Sequence, residues 1–230
     1  MQNIPDINEH FHAHATKYQG GSIVFLVEQS SPMVNAFSAN GLAYEAIIAS
    51  AAHVRNINPR TRALFFGSED GLREIDINSP DIPVELSPKS DPKVIPALKT
   101  LEREYAMCTS EAPLHVIMVS AGGLGDRYAD SMNTLIDLLG KPEMQVMLDV
   151  VLVASGPKQM QQMVGVAGSK FLDGGKEKDP AHPAPNLYLA HRVEDIPREI
   201  GKAINARIAP ENPRQFMLDV MCSIVEHGTR

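Results

Sequence analysis

Apolar residues in this chain gather in short unbroken runs more often than in strict alternation. Ser22-Ile-Val-Phe-Leu-Val27, Arg62-Ala-Leu-Phe-Phe66, His115-Val-Ile-Met-Val119 and Val146 to Ala154 are such runs. A run without alternation suits a strand covered on both faces, so these predict buried strands of a parallel sheet. Leu72 to Ile77 alternates instead. With Gly67-Ser-Glu-Asp-Gly71 before it, it predicts an antiparallel hairpin closed by a five-residue loop. Leu187 to Ala190 reads as a short sixth strand. Between the strands, apolar spacing near 3.6 predicts helices over 36–56, 93–108, 127–139, 157–167, 193–208 and 213–227. In the second of these, Val94, Ile95, Leu98, Leu101 and Tyr105 share one face, and Pro157 suits the first turn of the fourth.

Strands alternating with helices imply an α/β domain: a mostly parallel, six-stranded, doubly wound, Rossmann-like sheet with one antiparallel edge strand and helices on both faces. The expected organisation is an N-terminal arm over 1–20, one domain over 21–208, and a C-terminal helix in 209–230 that packs on the domain or on a partner. Ligands of such sheets bind at the carboxyl ends of the strands, near the switch in strand order. The loops after Val27, Val119 and Ala154, with the Pro- and Ser-rich loop 78–92, are therefore the candidate face.

Charge narrows the partners. With 21 Lys and Arg against 28 Asp and Glu, the chain carries a net charge of −7, and no basic patch is segregated along it. Nucleic-acid binding relies on such patches to displace counterions from phosphates, so it is not expected. Trp is absent, which removes the best stacking platform for single strands. No apolar run is long enough to span a bilayer, and Met1 to Gln19 lacks the apolar core of a signal peptide. Cys108 and Cys222 both lie in apolar, helix-like surroundings, which reads as reduced thiols. A cytoplasmic protein is expected.

The order strand, Glu28-Gln-Ser-Ser-Pro-Met33, long helix, hairpin, helix, strand, Ser120-Ala-Gly resembles the von Willebrand factor type A (VWA) domain over residues 20–208. That family carries a metal-ion-dependent adhesion site built from Asp-x-Ser-x-Ser after the first strand, a Thr, and the Asp of a Ser-Asp-Gly turn after the fourth strand. Carried onto this chain, Glu28 stands for the first Asp and Ser30 is kept. Pro32 replaces the second Ser, Ser90-Asp-Pro92 occupies the Thr region, and Ala121 replaces the last Asp. Phe66-Gly67 matches the Phe-Gly that closes the family's second strand. Mg²⁺ demands near-octahedral oxygen ligands, and Pro32 and Ala121 supply none. Asp91 and Asp126 are carboxylates away from the family positions. The resemblance thus implies a degenerate site and no bound cofactor; a cation, if held, would fall to Glu28, Ser30 and Asp91. It also implies an adaptor in a multiprotein complex, with an AAA-type ATPase or a second copy as partner. The binding face would consist of Glu28, Ser30, Ser31, Ser90, Asp91, Ser120, Gly122 and Asp126.

Other constellations carry less. His10, His12 and His14 alternate on what reads as a solvated tail, although imidazoles so placed bind Zn²⁺ or Ni²⁺. Gly122-Gly-Leu-Gly-Asp126 follows a strand and precedes a helix, a context for cradling phosphate, but matches neither the dinucleotide fingerprint nor a P-loop. A small-molecule or nucleotide-handling enzyme using that turn is the competing reading. Ser120, Ser155, His182 and His191 suggest hydrolase parts, yet Met118 stands where a nucleophile elbow needs Gly. Met217, Val220, Met221, Ile224 and Val225 form an apolar stripe suited to the domain or to a neighbouring subunit.

Overall fold

The computed structural model describes residues 21–36, 41–68, 71–78, 94–105, 113–121, 146–153 and 186–205. The six strands are β1 (Ser22–Glu28), β2 (Arg62–Ser68), β3 (Gly71–Ile75), β4 (Leu114–Ser120), β5 (Val146–Val153) and β6 (Asn186–Ala190). The helices are α1 (Ser31–Val34), α2 (Leu42–Ile57), α3 (Val94–Glu104) and α4 (Asp195–Asn205). The strands form one sheet in the order β3-β2-β1-β4-β5-β6. All neighbours run parallel except β2 and β3. The α/β class and the antiparallel edge strand are as the sequence predicts.

Burial follows the apolar runs. Every residue of β4 is buried, and β1 is buried from Ile23 onward. Ile23, Phe25 and Val27 join Ile117, Val119, Val151 and Val153 in a layer closed by Tyr44, Ile47 and Ala51 of α2 and by Ile196, Ile200 and Ala203 of α4. The alternate strand positions, such as Leu26 and Val116, are equally buried but lie outside that layer, on the opposite face. Ala97, Leu98 and Leu101 of α3 are buried there too, where α3 meets β2 and β3. Each of the Val, Leu, Ile and Phe side chains among these contributes roughly 1.5–3 kcal/mol by leaving water.

Local chemistry sets the ends of the elements, and here the structure corrects the sequence reading. The segment after Glu28 is not a plain turn. Ser30 caps α1, its hydroxyl accepting from Met33 N, with Pro32 in the first turn. The long helix begins at Leu42, not 36, behind Gly41 in the left-handed conformation (φ 89°). In the hairpin β2 reaches Ser68, which pairs with Gly71 at the start of β3, so both glycines lie within the strands and the loop is shorter than five residues. Gly67, at φ 145°, absorbs a register shift between Phe65 and Ser68, which is a bulge that glycine tolerates. Before α4, the Asp195 side chain accepts from the amides of His191 and Arg192. The expected arm 1–20, the helices over 127–139, 157–167 and 213–227, the His10–His14 cluster, both cysteines and the Met217–Val225 stripe lie outside the described residues.

Arg62 joins three elements at the end of the sheet away from Glu28. It grips both oxygens of Glu74 on β3 at 2.9 Å, and donates to Glu104 and to the Tyr105 hydroxyl at 3.0 Å. The Arg62 hydrogen bonds hold the Glu74 carboxyl below its ordinary range. A depressed carboxylate pKa stabilises the fold above the ordinary value of 4.5 and loses that stabilisation as pH falls through the folded value. The Glu74 side chain is half exposed, so solvent limits the pair to about 1 kcal/mol or less. Glu74→Gln is expected to flatten the acid side of a Tm–pH profile by that amount. The difference from wild type should shrink in high salt.

Candidate functional site

The chain runs outward from β1 to β3, then returns to β4 on the other side of β1 and runs outward again. Order therefore reverses between β1 and β4, and their carboxyl ends flank the position where open α/β sheets bind ligands. Parallel pairing sets Val27 beside Val119, so Glu28 and Ser120 are neighbours at the last rung and point to the same side. Both are fully buried.

There the Glu28 carboxyl is shared. Oε1 accepts from the Ser30 hydroxyl at 2.5 Å. Oε2 accepts from the Ser120 hydroxyl and, at 3.0 Å, from the Ala121 backbone N–H. The Ser30 hydroxyl receives Met33 N in turn, which couples the carboxyl to the cap of α1. Tyr44, from the first turn of α2, closes the cluster: its hydroxyl donates to the Glu28 carbonyl at 2.9 Å and accepts from Ser30 N at 3.3 Å. Burial pushes the Tyr44 phenol above its ordinary range and the Glu28 charge adds to this, while the Ser30 amide opposes it. Tyr44→Phe removes the bridging hydroxyl and leaves buried backbone groups short of a partner. It is expected to lose about 1–2 kcal/mol in urea denaturation, with α1 and the Gln29–Ser31 turn loosening first.

The third wall comes from β2. Gln29 N donates to the Phe66 carbonyl at 2.6 Å, carrying the β1–β2 ladder one step past Glu28. Gly67 lies so close that an added Cβ would overlap the Gln29 carbonyl. The turn after β1 is thus held by β2 below, β4 beside and α2 above. Gln29, Ser31 and Pro32 are half-buried and Asn35 is exposed, so this rim is what the site offers to solvent.

Of the residues singled out from sequence, the structure brings together Glu28, Ser30 and Ser120, with Ser31 on the rim. Ser90, Asp91, Gly122 and Asp126 lie outside the described residues. Sequence reasoning missed Tyr44 and the Ala121 amide. A Tyr among the small residues of Leu42–Ala52 was a signal, because a buried phenol needs a partner. A backbone amide leaves none.

A VWA-type site holds a divalent cation at this place. The resemblance implies a degenerate one in this chain, and the described side chains do not offer a cation a ligand set; Asp91 and Asp126 lie outside the described residues. Both Glu28 oxygens already take protein donors, the Ser30 and Ser120 hydroxyls point into that carboxyl, and position 121 bears only a methyl group. Among the described residues, no three His, Cys, Asp or Glu side chains cluster to hold a metal.

A second polar pair sits deeper. His115 on β4 and Asp149 on β5 are fully buried, with Nε2 2.5 Å from Oδ2. They lie diagonally across the strand pair, since Ile117 is the residue beside Asp149. Their odd-numbered positions place them on the same face as Ile117, Val119 and Val151, in the layer that α2 and α4 cover.

No protein-family model matches the chain, and no curated protein matches it. Among the described residues, no helix is long and apolar enough to cross a membrane.

Proposed function

We propose that this chain is a VWA-like protein-interaction module that docks a partner protein on the face at the carboxyl ends of β1 and β4, as an adaptor in a cytosolic assembly. The observation that carries this reading is the buried Glu28–Ser30–Ser120 cluster at the point where strand order reverses. A six-stranded sheet with one antiparallel edge strand is also the architecture the resemblance implies. The buried carboxyl and hydroxyls bond to one another and have no exposure to a substrate, which supports a scaffolding role over catalysis. Gln29, Ser31 and Asn35 form the contact rim. An AAA-type ATPase or a second copy of the chain is the partner class this reading favours. A rim held in place by hydrogen bonds loses little entropy on docking, which is how preorganised surfaces gain affinity.

A photo-cross-linker at Asn35, introduced in the full chain in its native host, tests this. It is expected to capture a protein reproducibly. Gln29→Arg with Ser31→Arg should abolish capture while leaving the Tm within about 2 °C of wild type. The reading fails if the rim captures nothing and a nucleotide instead raises the Tm by several degrees, as mass action requires of a native-state ligand.

A further inference from the structure

We propose that the Glu28 carboxyl acts as a built-in cross-link occupying the place of a cation, and that its chain length, more than its charge, is the property the site uses. A metal at the end of such a sheet joins the loop after the first strand to the loop after the fourth. Here that junction is covalent in one direction and hydrogen-bonded in the other: Glu28 leaves β1, and its Oε2 takes both the Ser120 hydroxyl and the Ala121 amide of the next strand. Its Oε1 returns to its own loop through Ser30. One carboxyl therefore holds four segments together, because Ser30 also caps α1 and shares Tyr44 with Glu28.

Adjacent parallel strands are about 4.8 Å apart. An aspartate at position 28 would stop one methylene short of the Ala121 amide. Ala121 has no oxygen-bearing side chain to make up the gap, and Pro32 offers no hydroxyl on the other side. The extra methylene of Glu28 and the missing oxygens at 32 and 121 thus compensate one another. A glutamine keeps the reach: its carbonyl oxygen can take Ser120 and Ala121 while its NH₂ donates to the Ser30 oxygen.

The test uses the full chain and does not depend on which protein docks. In a cation site, charge decides and aspartate is the better ligand; in this clamp, reach decides. Glu28→Gln is expected to stay within about 3 °C of the wild-type Tm, and Glu28→Asp to lose at least about 5 °C. Amide exchange at Ala121 should keep its protection in Glu28→Gln and lose it in Glu28→Asp. A general loss of stability would not single out this amide. Wild-type Tm should be unmoved by Mg²⁺, Mn²⁺ or EDTA. Should Glu28→Asp prove insoluble, Ser120→Ala serves as the second variant, with exchange accelerated at Ala121 and no cation response. Stabilisation of the wild type by either metal, or Glu28→Asp equal to or better than Glu28→Gln, overturns the inference.

Discussion

Asp149→Ala is expected to destabilise the protein by about 3–5 kcal/mol, the largest effect of any single substitution at a polar residue in the sheet. The carboxyl lies in the sheet interior with no exposure, 2.5 Å from an equally buried imidazole. Removing it leaves His115 with a lost partner where water cannot substitute, and opens a void between Met147 and Val151. For a domain of this size, the loss corresponds to a Tm fall of about 10 °C or more. His115→Leu alone should be similarly harmful, since it takes a close hydrogen-bond partner from a fully buried carboxyl. His115→Leu with Asp149→Leu should recover most of the loss, because an apolar pair of similar volume suits the surrounding Ile117, Val119 and Val151. Urea denaturation of the four proteins closes the cycle. A double variant as unstable as the sum of the singles would show that the two residues act apart.

Gly67→Ala comes next, with an expected loss of about 3 kcal/mol. Two penalties coincide there. At φ 145° the backbone is one that residues with a Cβ rarely adopt, worth about 1–3 kcal/mol by itself. The new methyl would also lie 3.0 Å from the Gln29 carbonyl carbon and closer still to its oxygen. Relief requires moving the turn that carries Glu28 and Ser30. The variant should therefore weaken partner capture as well as stability. Gly41→Ala is the control: its φ of 89° carries a strain penalty of about 1–2 kcal/mol, but nothing lies within 4 Å of the added carbon. If the two variants prove equally stable, the contact between Gly67 and Gln29 is not what holds the turn.

Sequence was most informative where one physical rule dominated. The runs at 22–27, 115–119 and 146–154 appear as β1, β4 and β5 because continuous burial on both faces leaves little room for another pattern. Helix ends were less legible. Gly41 stops α2 from starting at 36 through a backbone conformation, which apolar spacing does not report. The hairpin was read one step too loose, since Gly67 and Gly71 are turn formers that here serve a bulge and a ladder position. Within the site, Glu28, Ser30 and Ser120 were traceable because strand-end position and side-chain chemistry both mark them. The His115–Asp149 pair was hidden for the opposite reason. Each residue lies within a run otherwise apolar enough to define a strand, and their partnership depends on a register that only the assembled sheet sets.

Joining β1 to β4 has a temporal side. The two residues that close the last rung are 92 positions apart, whereas β2 and β3 meet across a short hairpin. At 5–20 residues per second, roughly 5–20 s of synthesis separates the appearance of β1 from that of the strand covering its second edge. Throughout that interval the nascent chain carries Ile23 to Val27 with the edge that β4 will cover still open, the kind of apolar edge that invites off-pathway pairing. Slow codons between the hairpin and β4 would lengthen this exposure, and insoluble product should rise accordingly.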